Sequence, residues 1–78
     1  MAITVYSTPD CPYCTMAKEY FSLKGVAFNE VNVAGDREKA REMFFKSGQL
    51  GVPVIEINGK IITGFDRRAI DSALGLPH

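Results

Sequence analysis

The sequence predicts an α/β domain, a four-stranded mixed sheet covered by three helices in the order βαβαββα. Three observations carry that prediction. In the first half, short β-branched and aromatic runs alternate with longer segments of helical period. In the second half, an Asn-Gly pair stands between two apolar runs, the strongest short-range sign of a hairpin. Between these units, glycine, proline and aspartate fall where elements should begin and end. The chain has 78 residues, enough for one compact core and no second, so residues 1–78 are read as a single domain.

Taken in order, Ile3–Ser7 is short, apolar and β-branched, and predicts a buried strand. Thr8-Pro9-Asp10 is a turn cluster, and Pro12 suits a first helical turn because its missing N–H is not needed there. Tyr13 to Lys24 runs without Gly or Pro. Met16, Ala17, Tyr20, Phe21 and Lys24 recur at helical spacing, Met16, Tyr20 and Phe21 as expected core, and Gly25 is the stop. Phe28–Val33 sets Phe28, Glu30 and Asn32 against Asn29, Val31 and Val33, a strand with unlike faces. Asp36 can cap a second helix reaching Ser47, with Ala40, Met43 and Phe44 inward and Gly48 closing it. Pro53–Ile57 is a third strand, Asn58-Gly59 the turn, and Lys60–Thr63 the returning strand. Asp66 can cap a last helix with Ile70, Ala73 and Leu74 facing the core.

The βαβ start implies parallel strands joined by a right-handed crossover, and the end adds an antiparallel hairpin with a covering helix. Helices then lie on both faces, and the segment after the first strand leaves a central strand at its C-terminal end, where ligands of open α/β sheets gather. This is the layout of a thioredoxin fold. Nine Lys and Arg balance nine Asp and Glu, for a formal net charge of zero. With no basic stripe, nucleic-acid binding has little electrostatic footing. No apolar run approaches the roughly 18 residues of a membrane helix, and the N-terminus has no signal-peptide pattern. The expectation is a monomer of the cytoplasm, away from nucleic acid and membrane.

The two cysteines of the chain form Cys11-Pro12-Tyr13-Cys14, directly after the first strand and at the start of a helix. Free N–H groups and the helix dipole favour an anion there, and the thiolate is the reactive form of cysteine. The N–H groups of Tyr13 and Cys14 are expected to face the Cys11 sulfur. Two thiols that close into a disulfide and reopen make a two-electron couple. A structural staple around so few residues would add only about 2 kcal/mol before strain. A zinc site needs about four ligands, and the chain offers Cys11, Cys14 and His78. Redox chemistry is the stronger reading, with Cys11 as nucleophile and the more covered Cys14 as resolving thiol; no metal or bound cofactor is expected. Lys18, Arg67 and Arg68 are read as solvated surface charges, with Arg67 the better placed to meet an anionic partner.

Cys-Pro-Tyr-Cys after the first strand, Gly51-Val52-Pro53 before the third and Gly64-Phe65-Asp66 after the fourth resemble the glutaredoxins over essentially the whole length. The resemblance implies reduction of protein disulfides and glutathione mixed disulfides, with glutathione as reductant and co-substrate. It also implies a cis-proline at Pro53 that exposes the Val52 backbone to a cysteinyl substrate, and a substrate groove formed by Pro12, Tyr13, Val52, Pro53, Gly64, Phe65 and Asp66. The sequence departs from the family in three places. Thr8 stands where many members carry lysine, Gly51 replaces a threonine, and Thr63 and Arg67 replace a glycine and an acid. The Gly-Phe pair also resembles the glutaredoxin-like electron donors of ribonucleotide reductase, which thioredoxin reductase reloads. A third reading is an iron–sulfur cluster module bridged between subunits, to which Pro12 is unfavourable.

Overall fold

The computed structural model describes residues 2–76. The elements are β1 (Ile3–Ser7), α1 (Pro12–Leu23), β2 (Asn29–Asn32), α2 (Arg37–Ser47), β3 (Val54–Ile57), β4 (Lys60–Thr63) and α3 (Arg67–Leu74). The sheet order is β2-β1-β3-β4. β1 and β2 are parallel, with Thr4 opposite Asn29. β1 and β3 are antiparallel, with Tyr6 opposite Val54, and β3–β4 is the expected hairpin, with Ile57 opposite Lys60. This is the four-stranded mixed sheet with three helices of the thioredoxin fold.

Strand alternation sorts the core into two layers. Ile3, Val5, Ile55, Ile57 and Ile62 face α1 and α3, where they meet Ala17, Phe21 and Ile70. Tyr6, Val33, Met43 and Val54 form the second layer with Ala40 and Ile61, under α2. β2 is shorter than its alternating pattern by one residue at each end, yet the unlike faces hold: Phe28 packs into the first layer, Val31 and Val33 into the second.

The helix boundaries follow from the capping residues. Asp36 accepts the Lys39 N–H at 3.0 Å and Asp66 the Ala69 N–H at 3.1 Å. At the hairpin tip Asn58 and Gly59 both have positive φ, 49° and 86°, as a two-residue turn of this hand requires.

Two expected core residues are corrected. Met16 and Phe44 are each 45% exposed, because their sequence neighbours take the inward positions. Ala17 and Phe21 form the seam of α1, and the small Ala17 allows the helix to approach the sheet closely. Met43 does the same for α2, turning Phe44 roughly 100° away. Tyr20 is half-buried and packs against the first layer.

Candidate active site

β1 ends at Ser7, and the turn after it delivers Cys11 to the N-cap of α1 in extended conformation (φ −105°, ψ 110°), with Pro12 opening the helix. The Cys11 sulfur accepts the Cys14 N–H at 3.2 Å. Of the two donors expected from the sequence, it is therefore Cys14, at the third helical position, that serves the sulfur as a capping residue is served. The Cys11 thiol in turn faces the Val52 carbonyl at 3.9 Å. Both cysteines are free thiols, Cys11 partly exposed and Cys14 buried. Burial, then the hydrogen bond with Cys11, pushes the Cys14 thiol up from 9.0 to about 11. The Thr8 backbone hydrogen bond and the charge of Lys18 oppose that rise.

The Val52–Pro53 peptide bond is cis. Beside it opens a groove of about 350 Å³ lined by Tyr13, Val52, Pro53, Thr63, Gly64, Phe65 and Asp66. Three segments distant in sequence thus meet: the first turn of α1, the loop before β3 and the exit from β4. The Gly64 N–H donates to the Pro53 carbonyl at 2.8 Å, tying the last two together. Gly64 sits at φ 77°, a conformation that an L side chain adopts only under strain. Asp66 spends its carboxylate on the Ala69 N–H, and the first intrahelical bond runs from Ile70 N–H to the Asp66 carbonyl at 2.9 Å. The Arg67 and Arg68 N–H groups precede that bond and have no intrahelical acceptor. Pro12 is exposed and, unlike Tyr13, does not line the groove.

Phe65 stands edge-on to Tyr20, with ring centroids 6.0 Å apart, and the Tyr20 hydroxyl donates to the buried Asp71 carboxylate. The Arg67 guanidinium lies 5.1 Å from the Tyr20 ring centre. Tyr20 packs against both Phe65 and Arg67, and Arg67 stays exposed, as expected, with its guanidinium over that ring. Lys18 is not the freely solvated charge expected, because its Nζ lies 2.6 Å from Glu30 Oε2. Arg68 is exposed, as expected. Thr63, Tyr20 and the Lys18–Glu30 pair are the parts of this region that sequence reading did not place at a site. A signal for Lys18 was present: it falls one helical turn after Cys14.

A larger hollow, about 580 Å³, lies along Thr15, Lys18, Glu19, Ser22 and Leu23 on the outer side of α1. It holds neither cysteine and offers little beyond a shallow helix face. Among the described residues no group of three His, Cys, Asp or Glu side chains is arranged to hold a metal ion; His78 lies outside the described residues. Nor, among those residues, is any helix long and apolar enough to cross a membrane.

The glutaredoxin family model matches residues 3–62. An uncharacterized glutaredoxin-like 8.6 kDa protein of the rubredoxin operon of Clostridium pasteurianum is 49% identical over 72 residues, covering 92% of this chain and 96% of its own. Glutaredoxin 3 of Escherichia coli is 40% identical over 75 residues, covering 95% and 90%. Among solved structures, the glutaredoxin-like NrdH-redoxin of Escherichia coli, which has a thioredoxin-like activity profile, superposes with a TM-score of 0.82. Its identity is 26%, and the match covers 92% of this chain and 93% of that one.

Proposed function

The chain belongs to the glutaredoxin family of thiol oxidoreductases, and on that premise we propose that it is a glutathione-dependent dithiol enzyme acting on protein disulfides and glutathione mixed disulfides. The observation that carries this reading is the convergence on one spot. A partly exposed Cys11 sulfur is held at a helix N-terminus and faces the Val52 carbonyl, beside a groove that ends at the start of α3. Cys11 attacks a substrate sulfur as thiolate, forming a mixed disulfide. Cys14 then displaces the substrate thiol and leaves a Cys11–Cys14 disulfide, which glutathione reduces.

In this reading the Val52 backbone pairs with the cysteinyl part of the substrate as an added strand, and Pro53 shapes that edge. Tyr13 borders the groove, with Pro12 exposed next to it in the chain, while Gly64, Phe65 and Asp66 receive the γ-glutamyl end, whose carboxylate suits the N–H groups of the first turn of α3. The partners are glutathione and oxidised or glutathionylated proteins, and the setting is the reducing cytoplasm, with the protein as a monomer.

A second reading keeps the chemistry and changes the electron source. The likeness to NrdH-redoxin, together with the Gly64-Phe65 pair in the groove, favours a donor to ribonucleotide reductase that is reloaded by thioredoxin reductase. One comparison separates the two: turnover of a mixed-disulfide substrate by glutathione, glutathione reductase and NADPH, against thioredoxin reductase and NADPH. Turnover with the first system is expected; turnover with the second alone would transfer the protein to the second reading.

A further inference from the structure

The dithiol reading leaves one chemical difficulty. Cys14 has no exposed surface, and a thiol in such a place resists ionisation, yet only a thiolate can resolve the mixed disulfide. Something close to Cys14 has to favour the charged form.

The candidates around its sulfur are few. Cys11 lies across the turn and opposes ionisation, and the Thr8 backbone contributes a hydrogen bond. The cation on the same helix is Lys18, one turn further along and on the same face. Lys18 is partly exposed, and its ammonium lies 2.6 Å from Glu30 Oε2 of β2. The same oxygen accepts the hydroxyl of Ser7 at 2.8 Å, and Ser7 is 1% exposed at the end of β1. One carboxylate oxygen thus ties α1 to β1 and β2 directly beside the Thr8 turn. Lys18 and Ser7 together hold the Glu30 carboxyl below its usual range, so the tether stays charged at neutral pH.

We propose that Lys18, anchored by Glu30 and Ser7, is a positioning charge for the resolving step, favouring the Cys14 thiolate without touching substrate. The proposal rests on the dithiol reading above. In the step, the Cys14 thiol loses its proton to solvent and its sulfur attacks Cys11 Sγ. The Cys11–substrate bond breaks, the Cys11–Cys14 bond forms, and the departing thiolate is protonated by solvent. Two protein thiols are oxidised and one substrate disulfide is reduced.

An aromatic disulfide such as 5,5′-dithiobis(2-nitrobenzoate) reports the two attacks separately under stopped flow. The first coloured thiolate is released when Cys11 reacts, the second when Cys14 resolves. In Lys18→Met the second release is expected to slow about fivefold at neutral pH, the size of one close, solvent-screened charge interaction, and its pH profile to move to higher pH. The first release is expected to keep its wild-type rate, and Lys18→Arg to restore the second. An unchanged second release in Lys18→Met, equal slowing of both phases, or failure of Lys18→Arg to restore the rate would each overturn the proposal. Absence of a second release from the wild-type protein would instead remove the dithiol reading on which it rests.

Discussion

Cys11 and Cys14 are equivalent in composition and unlike in place, and the difference assigns their work. Cys11 is partly open to solvent and accepts a backbone N–H; Cys14 is enclosed behind it. Cys11→Ser is therefore expected to abolish reduction of any disulfide. Cys14→Ser should keep activity on glutathionylated substrates, because one thiolate and a second glutathione complete that reaction, and should lose most activity on protein disulfides. Steady-state assays with the two substrate types check both, and the opposite pattern would reverse the roles. A second expectation concerns pH. The Cys14 thiol is raised from 9.0 to about 11 by burial, so the folded state favours the neutral form. Its contribution to stability is full below pH 9.0 and is lost as pH rises through about 11. The oxidised protein has no thiol to titrate. Urea unfolding between pH 8 and 11 should show the reduced form losing stability that the oxidised form keeps; Tyr6, also raised by burial, titrates in both and cancels.

Among the elements, α3 is the one most dependent on its ends. It has eight residues, too few to be stable alone. Beyond the packing of Ala69, Ala73 and Leu74 on the core, it is held by the Asp66 cap, the burial of Ile70 and the hydrogen bond from Tyr20 of α1 to Asp71. That bond also ties α1 to α3, whose first turns carry the groove residues Tyr13 and Asp66. Tyr20→Phe keeps the ring against Phe65 but leaves the buried Asp71 carboxylate without its partner, at a cost of about 1–3 kcal/mol. Asp66→Ala loses the cap, about 1 kcal/mol. Both should lower the urea midpoint without changing the slope of unfolding; a midpoint unmoved in Tyr20→Phe would mean that Asp71 finds water instead.

Over the whole molecule, the parallel β1–β2 pair and the antiparallel β3 bring residues more than fifty positions apart to one end of the sheet. If glutathione occupies the groove, a Cys14→Ser mixed disulfide with glutathione should shift the amide NMR signals of residues 13, 52, 64, 65 and 66 along with the Cys11 loop. Shifts confined to residues 8–15 would show that the groove does not receive it.

Local patterns settled the elements of this chain before any packing was known. Asp36 and Asp66 cap, Asn58-Gly59 turns, and strand alternation sorts Phe28 from Val31 because these effects act within a few residues. The Cys-Pro-Tyr-Cys run at the start of α1 was legible for the same reason. What escaped the sequence is what depends on which side of a helix faces inward and on what lies opposite across space. Met16 and Phe44 have the hydrophobicity of core residues, but Ala17 and Met43 occupy the seams. Lys18 read as a solvated charge until Glu30, brought alongside by the fold, gave it a partner, and Tyr20 found Phe65 and Asp71 in the same way. Only the tertiary structure decides such pairings, because a charge or a ring acquires its energetic role from the neighbours that desolvate and orient it.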